Sequence, residues 1–379
     1  MSLMSEPGTP ASGTEATPER VTVPEPTYEG DFVLDEHFLL DCGRTLAGVT
    51  LHYAVYGRLN AVRDNAVLVC HALSGSALVG SWWPEVFAPG ALLSLEHDFV
   101  ICINMLGSCY GSTGPGTVDP ETGKIYGPDF PLISIRDNVR AQARLLDSLG
   151  IHRLGLVMGG SIGGMQSLEW AMLYPDRVER GLVIGVAPLS AMGLALNHLQ
   201  RQAIQGDPDW EGGNYLPHKQ PRYGLALARQ IAMISYKSAA LFDERFGRNP
   251  NRNGEDPWSL DDQGGGLIGG RFDIAGYLDL QGRRFIERFD ANAYLAILRT
   301  MDTWDPLHGH SSSDAYGRIK ARLSFVGISS DWLFPPETVR QFAYSIRAAG
   351  VAADYREMSS AHGHDAFLAE QAELVRLLQ

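Results

Sequence analysis

The sequence predicts an α/β fold, a mostly parallel sheet flanked by helices and interrupted by an inserted helical lid. Four short apolar runs carry the prediction: AVLVCHALSG (66–75), DFVICINMLGS (98–108), LGLVMGGS (154–161) and RGLVIGVAP (180–188). They lack polar alternation, as parallel strands buried on both faces do. Helical patterns at 134–149 and 162–174 fall between them, and strands alternating with helices build layered sheets with right-handed crossovers. After Pro188 the rhythm becomes mostly helical until about residue 315.

The elements follow in order. Residues 1–31 are rich in Pro, Thr, Glu and Gly, have little to bury and read as a disordered tail. They lack the charged and apolar regions of a signal peptide. Strand patterns at 32–40 and 48–56 flank Asp41-Cys42-Gly43-Arg44 and predict a hairpin. Beyond the four apolar runs, helices are expected at 189–205, 222–239, 274–288 and 291–302. The strand signal returns in RLSFVGISSDWLF (322–334), followed by a helix at 336–349, a strand at 353–357 and a last helix at 365–378. The division is thus a catalytic domain of 32–188 and 316–379, with 189–315 as the lid.

Composition narrows the class. The formal net charge of −13 repels phosphate backbones, which argues against nucleic acid as a partner. No apolar run reaches the ~18 residues needed to span a bilayer, which argues against a membrane. The four cysteines, Cys42, Cys70, Cys102 and Cys109, form no C-x-x-C pair. Cys70 and Cys102 lie in apolar runs, so a reducing, cytoplasmic setting is expected.

The chemistry centres on Gly159-Gly160-Ser161-Ile162-Gly163. It matches G-x-S-x-G between a strand and a helix, a sharp turn that displays a serine where neighbouring side chains would clash. A serine hydroxyl needs a base, and the base needs a carboxylate to orient it. The order Ser, then acid, then His points to Asp331 in SSDWLF and to the SSAHGHDAFL stretch. There His362 and His364 compete, and His364, directly before the last helix, is the expected base. The backbone N–H groups of Leu73, in the loop HALSGS, and of Ile162 are the expected oxyanion donors. No metal cluster accompanies either His362-x-His364 or His308-x-His310, and the second pair reads as solvated. Gly264–Gly269 matches G-x-G-x-x-G but follows no strand, and reads as a loop rather than a dinucleotide site.

Assembled, these stretches resemble the homoserine O-acetyltransferase family of α/β-hydrolase-fold acyltransferases. The likeness runs from about residue 32 to the C-terminus. It rests on HALSGS, NMLGSCYGSTGP (104–115), GPDFPLISIRDNVRAQARLLDSLGI (127–151), MGGSIGGMQSLEWAMLYPDRV (158–178), ARQIAMISYKS (228–238), YLDLQGRRFIERFDANAYLAILRTMD (277–302), SSDWLFPP and GHDAFL. The resemblance implies ping-pong acyl transfer from acetyl-coenzyme A, as co-substrate with no resident cofactor, to the hydroxyl of L-homoserine. Ser161, Asp331 and His364 would form the triad. Arg229 would hold the acceptor's carboxylate, Asp365 its ammonium, and Tyr236 would line the pocket. It also implies a homodimer paired through the lid and a role in methionine biosynthesis. The family often has Thr where Ser74 stands and Gln where Tyr110 stands. Succinyl transfer, serine as acceptor, and a serine esterase or thioesterase with the same triad remain alternatives at this point.

Overall fold

The apolar runs form the middle of an eight-stranded sheet in a computed structural model that describes residues 23–34, 36–215, 219–258 and 270–379. Its strands are β1 (Tyr28–Leu34), β2 (Val49–Gly57), β3 (Ala66–Cys70), β4 (Phe99–Ile103), β5 (Leu156–Gly160), β6 (Arg180–Ile184), β7 (Arg322–Ile328) and β8 (Ala353–Met358). They lie in the order β1-β2-β4-β3-β5-β6-β7-β8. β1 pairs antiparallel with β2, and β2 antiparallel with β4; every pair from β4 to β8 is parallel. All five residues of β3 are buried, whereas the edge strands β1 and β8 alternate. Burial on two faces produces the first pattern and burial on one face the second.

This order creates a switch point. β3 sits between β4 and β5, so the chain leaves β3 to one side and returns to build β5 on the other. The loops after β3 and β5 therefore open side by side at the carboxyl edge, with Cys70 opposite Gly159. Ligands of open α/β sheets bind at such points.

One face is covered by α1 (Ile135–Ser148) and α2 (Ile162–Leu173). Ser134 and Asp137 close a reciprocal capping box on α1, worth about 1 kcal/mol. α2 is almost wholly buried, Trp170 included, and its indole N–H donates to Gln142 Oε1 at 2.8 Å. The insertion contributes α3 (Ala191–Gln205), α4 (Arg222–Tyr236), α5 (Ala239–Arg245), α6 (Asp273–Ile286) and α7 (Ala291–Asp302). Ser190, Ser238 and Asp290 cap α3, α5 and α7 with side-chain hydrogen bonds. The chain closes with α8 (Pro336–Ala348) on the α1 face and α9 (Gln371–Leu378) on the other, where Trp83, Met158, Phe367 and Leu374 pack.

Three sequence expectations change. The expected tail of 1–31 runs too long: β1 begins at Tyr28, and Thr27 already donates its N–H to Val55 O. The expected helix 222–239 ends at Tyr236, because Lys237 is extended (φ −116, ψ 154) and Ser238 starts α5. The last helix is also divided: a 3-10 turn at Gly363–Asp365 and a short helix at Ala366–Ala369 precede α9, with Glu370 non-helical between. The Gly264–Gly269 motif lies outside the described residues. Among the described residues no helix is long and apolar enough to cross a membrane.

Candidate active site

The serine of the opening motif stands on a strained turn. Ser161 has φ 57 and ψ −131, a conformation that costs a non-glycine residue roughly 1–3 kcal/mol. The surroundings hold it there: its N–H donates to Ile184 O at 2.9 Å, and its carbonyl accepts from Gly164 and Met165. Gly163 is required by close approach, since a Cβ there would lie 2.1 Å from the Cys70 carbonyl oxygen. That contact seats the first turn of α2 directly on the end of β3. Ile162 opens α2, so its N–H is one of the first-turn donors that find no partner inside a helix. Leu73, in the loop after β3, is buried on the same edge.

A residue that sequence reasoning passed over stiffens that loop. His71 is fully buried; its Nδ1–H donates to Ala72 O at 2.8 Å and its Nε2 accepts from Met105 N–H at 3.1 Å. Burial lowers its pKa from 6.5 to about 4. The unfolded chain therefore takes up a proton near pH 6.5 that the folded chain refuses until about pH 4. Stability falls as pH drops through that window, by about 3 kcal/mol in total. Denaturant unfolding at pH 7 and pH 5 should show His71→Asn losing less stability on acidification than the native chain. Equal losses would remove His71 from this role.

The acid and the histidine come from the loops after β7 and β8. Asp331 Oδ1 accepts the N–H groups of Leu333 and Phe334, both at 2.9 Å. Its Oδ2 accepts from His364 Nδ1 at 2.7 Å, with the two side chains 0% and 3% exposed. His364 Nε2 is buried and has no hydrogen-bond partner among the described residues. Burial pushes the His364 pKa down, but the Asp331 charge and hydrogen bond more than offset this and the net direction is up. Gly185, next to the Ile184 that binds the Ser161 backbone, lies against the His364 ring: a Cβ there would sit 3.2 Å from Cε1. Serine and imidazole thus share one edge. His362 instead faces Glu370 at 3.8 Å and is partly exposed. No hydrogen bond joins Ser161 to His364; an imidazole oriented through Nδ1 and free at Nε2, on the same sheet edge as a displayed serine, can run nucleophilic acyl chemistry.

Of the remaining predicted residues, Arg229 and Tyr236 come from the helical insertion and Asp365 from the turn that carries His364. Arg229 and Tyr236 lie on α4. The Arg229 guanidinium sits over the rings of Tyr236 (5.7 Å) and Phe285 (4.9 Å), and no carboxylate lies within ion-pair distance among the described residues. The Tyr236 ring is 5.9 Å from that of His364. Burial pushes the Tyr236 phenol up to about 12, so it stays a hydrogen-bond donor. Asp365 makes no capping bond to the last helices; its carboxylate meets Lys237 Nζ at 3.0 Å. Lys237 carried no distinguishing signal in the sequence, being one more lysine in an expected helix. Arg288 was equally silent: it donates to Ser74 O at 2.9 Å and to the Tyr110 hydroxyl. These three line a cavity of about 550 Å³ beside the loop after β3. Among the described residues no group of three metal-ligating side chains exists, and His308 and His310 are exposed. Burial pushes the Cys70 thiol up to about 12, as for a small apolar residue.

A strained serine after β5, a buried acid after β7 and a histidine after β8, on a sheet with a helical insertion between β6 and β7, define the α/β-hydrolase class. The alpha/beta hydrolase fold family matches residues 65–369, and the chain belongs to it. Within that class it belongs to the homoserine O-acetyltransferase family. It is 45% identical to a homoserine O-acetyltransferase of Symbiobacterium thermophilum, over 93% of this chain and 94% of the relative. It is 43% identical to a homoserine O-succinyltransferase of Alkalilimnicola ehrlichii, over 88% and 89%. The crystal structure of homoserine O-acetyltransferase from Bacillus anthracis superposes with a TM-score of 0.84 at 27% identity, covering 92% of this chain and 95% of that one.

Proposed function

We propose that this enzyme transfers the acetyl group of acetyl-coenzyme A to the hydroxyl of L-homoserine through an acyl-Ser161 intermediate. The observation that carries the reading is the adjacency of two charge systems. The Asp331–His364 pair serves acyl chemistry, and the next residue in the chain, Asp365, faces the same lid helix region as Arg229. An acceptor that is a zwitterion needs one fixed cation and one fixed anion near the base, and this site has both.

In the first half-reaction Ser161 Oγ attacks the thioester carbonyl and passes its proton to His364 Nε2. The oxyanion is received by the N–H groups of Leu73 and Ile162. The C–S bond breaks, and His364 returns the proton to the departing thiolate. In the second, His364 Nε2 takes the proton of the homoserine hydroxyl, whose oxygen attacks the acetyl-serine. The ester bond to Ser161 breaks, Ser161 Oγ regains the proton, and O-acetyl-L-homoserine leaves as a precursor for methionine. Arg229 receives the acceptor's carboxylate, because a planar guanidinium offers two parallel donors. Stacking against Phe285 and Tyr236 holds that fork in place before substrate arrives.

The lid supports two further expectations. Covering the acyl-serine keeps water from hydrolysing it. Met192, Leu199, Tyr223 and Ile234 leave apolar surface exposed on α3 and α4, which suits pairing of two chains through the lid. The free, buried Cys70 and Cys102 suit a cytoplasmic setting.

Release of free thiol from acetyl-coenzyme A tests the reading. It should be fast with L-homoserine, slow with L-serine and slower still with neither. Succinyl transfer is the second reading, favoured by the name of the 43% identical relative. Faster release from succinyl-coenzyme A would select it, and steady release without an amino acid would make the chain a thioesterase. Arg229→Ala should raise the homoserine KM about 10- to 100-fold while the single-turnover burst of thiol persists. An unchanged KM would take Arg229 out of the acceptor site.

A further inference from the structure

We infer that Lys237 is a positioning residue of the acceptor site: its ammonium pins the Asp365 carboxylate at the seam between the lid and the loop that carries His364. The inference rests on the acyl-transfer reading for the identity of the acceptor, and on geometry for the rest.

Lys237 is the residue at which the α4–α5 helix is broken, and three contacts fix that break in place. The Trp332 indole N–H, next to Asp331, donates to Lys237 O at 3.0 Å. Gly363, next to His364, comes so close that a Cβ would lie 2.8 Å from both the Lys237 carbonyl carbon and Ser238 N. The Ser238 hydroxyl donates to Ala361 O while it caps α5. Lid, acid loop and histidine loop therefore meet at the Lys237 backbone. Its side chain turns to Asp365, Nζ to Oδ2 3.0 Å, with the two side chains only 11% and 20% exposed. No other cation lies within 4 Å of that carboxylate among the described residues.

The charge pattern explains the need for this lysine. The groups that face the seam are Asp331, His364 and Asp365 from the catalytic loops, Arg229 and Tyr236 from α4, Tyr277 from α6, Tyr294 from α7, and Lys237. Arg229 and Lys237 balance Asp331 and Asp365, so the site is neutral with a neutral imidazole and accepts a zwitterion without a charge imbalance. Remove Lys237, and Asp365 is free to swing and leaves an unmatched negative charge beside the imidazole. Asp365 favours the protonated ring and Lys237 opposes it. A protonated His364 cannot take a proton from either hydroxyl.

The test compares Lys237→Met, Lys237→Arg, Asp365→Asn and the double variant Lys237→Met/Asp365→Asn. Two readouts are taken across pH: kcat and KM for L-homoserine, and the rate of the acylation burst of p-nitrophenol from p-nitrophenyl acetate, which needs Ser161 and His364 but neither acceptor nor water. Lys237→Met should raise the homoserine KM roughly tenfold. It should also move the acid limb of both activities to higher pH, because loss of a nearby positive charge favours the imidazolium. Lys237→Arg should restore both. In the double variant the limb should return toward that of the native chain while the KM stays high. An unchanged KM and unchanged limb in Lys237→Met would overturn the inference, as would a Lys237→Arg variant as damaged as Lys237→Met. If the native enzyme releases no thiol in response to homoserine, the acyl-transfer reading fails. The ester limb then still decides the coupling of Lys237 to His364: displaced, the coupling stands; unmoved, it is overturned.

Discussion

Ser161→Ala should abolish acceptor-dependent thiol release, a loss of about 10⁵-fold in kcat/KM, while the fold survives. The magnitude follows from what remains. Without Oγ no acyl-enzyme forms, and the proposed Leu73 and Ile162 donors could act only on direct attack by an acceptor or water. Survival of the fold follows from the environment: Ser161 is 7% exposed, and alanine removes one atom from the same strained turn. Strain gives a second readout. At φ 57 glycine is at ease and alanine is not, so Ser161→Gly should be more stable than Ser161→Ala by about 1 kcal/mol, although equally inactive. Thermal unfolding and thiol release on the two variants decide the matter. Turnover within tenfold of the native rate in Ser161→Ala would remove Ser161 as nucleophile.

That serine was legible because its constraint is local. A strand must turn into a helix within a few residues, and the crowding by the Cys70 carbonyl admits only glycine at 163, so the sequence itself displays the motif. Asp331 was legible because it follows a strand pattern, where functional loops of this layout emerge, and His364 because it comes after the acid in the order serine, acid, histidine and directly precedes an expected helix. What stayed hidden depends on packing between distant segments. β1 starts at Tyr28 rather than Phe32 because an antiparallel edge strand is held by backbone hydrogen bonds to β2 and needs no apolar run. Lysine is a good helix former, and nothing local predicts a helix break at Lys237; the histidine loop, 126 residues beyond it at Gly363, imposes it. His71 and Arg288 belong to the same class. Their partners, Met105 N–H and Ser74 O, are brought to them only by the strand order and the lid.

Asp331→Asn should lower kcat by about 10³- to 10⁴-fold without unfolding the protein, and the reason is a tautomer. Oδ1 of Asp331 receives two backbone N–H groups, from Leu333 and Phe334. An asparagine must keep its carbonyl oxygen there, since an amide NH₂ would face two donors. The NH₂ then points at His364 Nδ1, which can meet it only as an acceptor. The ring proton moves to Nε2, and a protonated Nε2 cannot accept the proton of Ser161 or of homoserine. The other tautomer remains accessible only by giving up that hydrogen bond inside a buried site, at a cost of about 1–3 kcal/mol on top of the lost carboxylate charge. The pH profile carries the sign. Asp331 raises the His364 pKa, so neutralising it should move the acid limb of the residual activity to lower pH, opposite to the shift expected for Lys237→Met. Two substitutions on either side of one imidazole, displacing one limb in opposite directions, would identify His364 as the titrating base. A residual activity whose limb does not move in either variant would place the titrating group elsewhere.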